Sequence, residues 1–180
     1  MRLFVAIGLP DGVTEALENL ATALPVGRAM AADAMHLTLA FAGEQPGDVA
    51  EDIAHSLDTM RHPAIALHLK GLDTLGGREP HVLAIMAERA PALMALQAQV
   101  ATRLRAAGVD LERRRFRPHV TLARFNRRLA AEEAVKLGRF LEAHGDAALP
   151  AFEAASFALY RSDLGKAGAI HTELMRYDLG

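Results

Sequence analysis

The 180-residue sequence predicts an α+β fold in which one strand–helix–strand–helix–strand unit is duplicated into a bilobal whole. Three observations carry that prediction. The tetrad His36-Leu37-Thr38-Leu39 returns as His119-Val120-Thr121-Leu122. Runs with strand and helix periodicity follow the same order on either side of Gly76-Gly77. The composition, 51% hydrophobic and 23% charged, belongs to a chain that buries a core.

The elements follow in order. RLFVAIGL, from residue 2, is a short apolar run with β-branched and aromatic members, stopped by Pro10-Asp11-Gly12, and reads as a buried strand. Val13, Ala16, Leu17, Leu20, Ala21 and Leu24 then recur at helical spacing until Pro25. AMHLTLAFAG is a second strand, a helix covers about 46–60, and AIALHLKGL is a third strand, closed by the Gly76-Gly77 turn. The pattern then restarts. HVLAIMA is a strand, and Pro91 opens a long helix with Leu93, Leu96, Val100 and Leu104 on its apolar face, ended by Gly108. HVTLARF is a strand, a helix covers about 130–143, and EAASFALYRS and IHTELMRYDL are the last two strands. No Pro-, Gly- or Ser-rich linker divides the chain. Residues 1–180 are therefore read as one bilobal domain, its lobes formed by two pseudo-symmetric halves at about 1–77 and 78–180.

Bulk properties narrow the chemistry. Without Cys there is no disulfide, no thiolate nucleophile and no Cys-based zinc site. A net charge of −2 gives no global pull toward nucleic acid, so any anion must be held by a local patch. No apolar run is long enough for a membrane span, and MRLFVAIGLP is too short in its apolar part for a secretory signal. The expectation is a soluble, cytoplasmic monomer that does not engage membranes.

Side chains alternate along a strand. His36 and Thr38 therefore share one face, with Leu37 and Leu39 on the other; His119 and Thr121 stand likewise against Val120 and Leu122. One such pair is what the polar face of any sheet supplies. Two pairs, at the same strand of a duplicated unit, would bring two imidazoles and two hydroxyls into a common cleft. That set suits phosphodiester chemistry. Imidazole has an unperturbed pKa of about 6.5, so one ring can be neutral and the other charged near neutral pH. The neutral ring takes a proton from water and the charged one protonates the leaving alkoxide, each worth roughly 10²–10⁴-fold. The threonines can donate to non-bridging oxygens. No metal and no cofactor is required.

These residues resemble the two signatures of the two-histidine (2H) phosphoesterase superfamily, above all its bacterial branch, the RNA 2′,3′-cyclic phosphodiesterases, also named 2′-5′ RNA ligases. RLFVAIGLP, HLTLAF with Gly43-Glu44, FRPHVTLAR and FALYRSDLGKAG resemble the family's ordered segments over most of the chain. The resemblance implies antiparallel sheets lining a central cleft with helices outside, and hydrolysis of RNA 2′,3′-cyclic phosphate ends, or of small cyclic nucleotides, to 2′-phosphates. It implies His36 as general acid and His119 as general base, a division the symmetric sequence does not make, with Thr38, Thr121 and Arg124 on the substrate phosphate. Strand parity sets Arg124 on the opposite face from Thr121, so it needs a strand end or a twist to reach in. The chain departs from the family where relatives often carry aromatics: Ala29 and Ala84 stand for Trp, and His171 for Tyr. Alternative functions are 2′-5′ RNA ligation, the same chemistry reversed with a 5′-hydroxyl in place of water, and an inactive module that binds RNA ends or nucleotides.

Other residues carry weaker readings. Arg113, Arg114, Arg115 and Arg117 are a solvated basic loop or, alternatively, an edge that tracks phosphates. Phe4, Phe41 and Phe116 are read as core, with base stacking as the alternative. His55, His62, His68, His81 and His144 are read as surface or strand-face residues, His68 without a carboxylate nearby.

Overall fold

The computed structural model describes residues 1–113, 115–165 and 168–180. β1 (Arg2–Gly8) runs through Pro10 into α1 (Asp11–Ala23), then come a two-residue strand β2 (Arg28–Ala29), a 3₁₀ turn (Ala32–Ala34), β3 (His36–Glu44) and α2 (Gly47–Asp58). β4 (Ile65–Leu67), β5 (Leu69–Leu75), β6 (Val82–Ala87), α3 (Pro91–Ala106), β7 (His119–Arg124) and α4 (Ala131–His144) follow, and β8 (Phe152–Ala154), β9 (Ser156–Gly165) and β10 (Gly168–Asp178) close the chain. The order is the expected one, and every paired strand runs antiparallel to its neighbour.

Local chemistry accounts for the helices. Pro91 sits in the first turn of α3, where its missing N–H costs nothing, and Arg103 and Arg105 lie in the last turn beside the carbonyl end. In α4, Glu133 reaches back to accept from the Ala130 N–H at 2.8 Å and holds Arg127 through two further bonds of 2.8 Å. The apolar stripes of α2 and α3, with Ile53, Leu57, Leu93, Leu96 and Val100, bury against Val5, Leu37, Leu39 and Val120. A second cluster packs Leu137 and Phe140 of α4 on Leu83, Ala123 and Phe125.

Two features differ from the reading of the sequence. The third strand of each half splits: AIALHLKGL breaks at His68 and EAASFALYRS at Ala155. Each broken position lends its carbonyl elsewhere, His68 to the Glu88 N–H at 2.9 Å and Ala155 to the Leu179 N–H at 2.8 Å. The leading pieces, β4 and β8, then pair with each other in a small sheet.

The trailing pieces change lobes. The large sheet has the order β10-β9-β1-β3-β7-β6-β5, with β2 also on β7. β5, from the first half of the sequence, pairs with β6, while β9, from the second half, pairs with β1. The lobes are thus β10-β9-β1-β3 and β7-β6-β5, not the contiguous halves 1–77 and 78–180. The exchange gives β1 and β6 a second neighbour each, and so satisfies backbone groups that an edge strand would leave open. Among the described residues the two parts of the large sheet are joined by one paired position, Leu37 with Val120.

Candidate active site

That single pair sets the geometry of the site. With Leu37 opposite Val120 in an antiparallel register, His36 falls opposite Thr121 and Thr38 opposite His119. His36 and His119 are diagonal neighbours in that register, and such positions in a regular ladder lie roughly 7–8 Å apart. His36, Thr38, His119 and Thr121 are all half-buried, while Leu37, Leu39, Val120 and Leu122 beneath them are buried. Neither threonine hydroxyl has a hydrogen-bond partner among the described residues, so both are available to a ligand. Thr38→Ala or Thr121→Ala is expected to cost roughly 1–3 kcal/mol of transition-state binding, the worth of one hydrogen bond to a charged oxygen. Measuring kcat/KM for each variant checks this, and a loss below twofold in both would remove the hydroxyls from the site.

The duplication extends to irregularities no motif reveals. On β1, Ala6 pairs with Thr38 and Val5 with Ala40, so Leu39 is an extra residue in β3. On β6, Ala84 pairs with Thr121 and Leu83 with Ala123, so Leu122 is an extra residue in β7. A bulge of this kind puts two consecutive residues on one face and reverses the parity beyond it. Leu122 and Ala123 are both buried, and Arg124 emerges on the face of Thr121. This bulge is how Arg124 reaches the cleft. The same bulge turns Phe41, at the position matching Arg124, to the cleft with 62% of its surface exposed. Phe41 is therefore not core. Phe116 does pack against the core, and Phe4 is buried but on the cleft side.

The two histidines differ in surroundings. His36 stacks on Phe4 with ring centroids 4.7 Å apart, and Tyr160 stacks on the other side of Phe4 at 5.2 Å. His171 stands edge-on to His36 at 5.1 Å and to Phe4 at 4.9 Å. Burial, then the neighbouring His171 imidazole, push the pKa of His36 down to about 4, with Arg124 and His119 adding in the same direction. The Ala34 carbonyl opposes the shift. His119 also lies below the ordinary imidazole value, chiefly through burial. Its Nδ1 is 2.6 Å from the Arg117 carbonyl. With the proton on Nδ1, that contact leaves the Nε2 lone pair for the substrate. Both histidines thus use the carbonyl two residues before them.

His171, which stands where the resembled family often carries Tyr, lies beside His36 and Phe4. Its Nδ1 is buried without a hydrogen-bond partner among the described residues, and burial and Arg124 lower its pKa. Ala84 is buried opposite Thr121 and Ala29 is exposed opposite Ala123.

Within the basic run, Arg117 binds Asp73 at 2.6 Å, next to the carbonyl that His119 uses. Arg113 and Arg115 are exposed, and Arg114 lies outside the described residues. Two minor readings are corrected. His68 does have a carboxylate neighbour, Glu88, at 3.1 Å. His62 is buried, with Nδ1 2.9 Å from the Pro63 carbonyl. Among the described residues, no three His, Asp or Glu side chains gather to hold a metal ion, and no helix is long and apolar enough to cross a membrane.

The reading of the sequence missed Phe4 and Tyr160 as neighbours of His36. The parity of RLFVAIG holds a signal for the first. Phe4 alternates with Leu3, Val5 and Ile7, which are the core side. Tyr160 gives no such signal, because only the pairing of β9 with β1 brings it to Phe4.

Known proteins share this fold and sequence. An RNA 2′,3′-cyclic phosphodiesterase of Aeropyrum pernix is 30% identical over 141 residues, which cover 77% of this chain and 78% of that protein. One of Escherichia coli K12 is 30% identical over 187 aligned residues, 99% of this chain and 96% of the relative. The crystal structure of E. coli LigT complexed with 3′-AMP superposes with a TM-score of 0.79 and 26% identity, covering 99% of this chain and 97% of that one. Residues 9–165 match the 2′-5′ RNA ligase superfamily, and with the duplicated His-x-Thr strands, their shared cleft and these relatives, the chain belongs to that family.

Proposed function

We propose that this protein hydrolyses RNA 2′,3′-cyclic phosphate ends, or small 2′,3′-cyclic nucleotides, to 2′-phosphates. His119 acts as general base and His36 as general acid, in one bilobal, monomeric, cytoplasmic domain. Water attacks phosphorus while His119 Nε2 takes its proton. The bond from phosphorus to the 3′ oxygen breaks, and His36 protonates that oxygen. Thr38, Thr121 and Arg124 hold the non-bridging oxygens, whose charge grows in the transition state. The assignment of base and acid follows the family resemblance. The observation that supports the reading most is the register at Leu37 and Val120, which makes His36 and His119 diagonal neighbours where the two parts of the sheet join.

Both histidines are below the ordinary imidazole value in the free enzyme. Above both pKa values the acid is lost; below both, the base is lost. The bell in kcat/KM therefore peaks between the two macroscopic pKa values, on the acid side of 6.5. A bound phosphodiester anion favours the charged imidazole, so the optimum for kcat lies higher than that for kcat/KM.

The test is incubation with 2′,3′-cyclic nucleotides and with RNA ending in a cyclic phosphate, in EDTA, followed by identification of the product. Formation of the 2′-phosphate at an undiminished rate is expected. Loss of turnover that zinc or magnesium restores would replace this mechanism with a metal-dependent one. Joining of 5′-hydroxyl RNA without net hydrolysis would favour the ligase direction.

A further inference from the structure

Arg124 has two cationic neighbours that the reaction does not use. Arg28 is its partner across the β2–β7 ladder. Directly opposed residues of an antiparallel pair put their side chains on one face, with Cβ atoms roughly 5 Å apart. Arg2 begins β1 with the parity of Phe4 and Ala6, the face that carries His36 and Thr38. Arg2 and Arg28 both act on Arg124, disfavouring its charged form after the contribution of burial. Arg28 also reaches across to the other lobe. Its Nη2 lies 2.6 Å from where a side-chain carbon would stand on Gly168, at the start of β10.

All three arginines are exposed, and none has an ion-pair partner among the described residues. Elsewhere Arg117, Arg127, Arg161 and Arg176 each hold a carboxylate. Like charges brought together are destabilising unless a counter-charge joins them; Glu44 stands opposite Arg2, whereas Arg124 has Arg28 and Val82 opposite it. The cluster also has a direction. Arg28 stands opposite Arg124, at the end of β7 away from His119, and Arg2 stands opposite Glu44, at the end of β3 away from His36. The registers therefore set Arg2 and Arg28 away from the two histidines.

We propose that Arg2, Arg28 and Arg124 form a second anion subsite for a phosphate one nucleotide unit from the reacting one. The phosphate is the one on the 5′ side of the terminal nucleotide. Arg124 bridges the two subsites, and Arg28 spans the lobes to close the second. The inference rests on the hydrolase reading above and adds a subsite to it.

The experiment compares kcat/KM for a dinucleotide ending in a 2′,3′-cyclic phosphate with that for the corresponding mononucleoside 2′,3′-cyclic phosphate, across a salt series. The wild type is expected to favour the dinucleotide by about tenfold or more, the worth of one charged hydrogen-bonded contact. Its salt slope should be steeper by roughly 0.7 per additional phosphate contact. Arg28→Gln and Arg2→Gln are expected to reduce the ratio several-fold and flatten that slope, with Arg28→Lys retaining part of the preference because it keeps the charge. A wild-type ratio near one, or a ratio that neither Gln variant changes, overturns the second subsite while leaving the hydrolase reading intact, since both substrates are still turned over. Absence of turnover on both substrates overturns the hydrolase reading and this proposal with it.

Discussion

His119→Ala lowers kcat for cyclic phosphodiester hydrolysis by roughly 10²–10⁴-fold, the usual worth of one positioned proton transfer. This corresponds to about 2.7–5.5 kcal/mol of transition-state stabilisation. The ring is half-buried at the cleft, and its one hydrogen bond among the described residues is to the Arg117 carbonyl. Val120 and Leu122, on the other face, make the core contacts. The variant is therefore expected to fold, with unchanged far-UV circular dichroism. His36→Ala should lose a similar factor, and the double variant should fall far short of the product of the single losses, because residues that act as one unit are not additive. A folded His119→Ala enzyme with near-wild-type turnover would remove His119 from the mechanism and reduce the repeated tetrad to a structural echo of the duplication.

Wild-type protein loses stability as the pH falls from 6.5 toward 4, and His36 alone contributes about 3 kcal/mol of that loss. The sign follows from its depressed pKa, about 4 against an ordinary value of 6.5. Between those values the unfolded chain binds a proton that the folded chain refuses, so unfolding gains as acid is added. One pKa unit is worth about 1.4 kcal/mol, which sets the size. His119 and His171 are lowered as well and act in the same direction. Carboxylates titrate in the same range, so the informative quantity is the difference between wild type and His36→Asn, which keeps a polar side chain and does not titrate. Urea unfolding across this window should give a shallower pH dependence for His36→Asn. Parallel curves would mean that His36 is not held neutral by its surroundings.

Much of the site was legible before any coordinates. The apolar and polar alternation of HLTL and HVTL places each His and Thr on one face and each Leu, Leu39 and Leu122 alike, on the other, because a strand's side chains alternate whatever lies next to it. Helical spacing and its stops located α1 to α4 for the same local reason: Pro91 and Gly108 act on their own turn of backbone. The duplication was visible because it is an order of elements.

What the sequence could not determine is which backbone accepts which hydrogen bond. Nothing in AIALHLKGL distinguishes a continuous strand from β4 and β5 broken at His68, since the apolar pattern continues through the break. Strand alternation states which face is buried and is silent about the neighbour, so the pairing of β5 with β6 and of β9 with β1 was decided only in the folded chain. That pairing brings Tyr160 and His171 to Phe4 and His36. A bulge is likewise a relation between two strands: Leu39 and Leu122 are extra residues only against β1 and β6. From sequence alone, the composition of the two tetrads was determined, because it depends on local alternation. The tertiary structure decided that Arg124 enters the cleft, that Phe41 leaves the core, and that His36 and His119 both fall below the ordinary imidazole value, because burial and charge at each ring are set by residues distant in sequence.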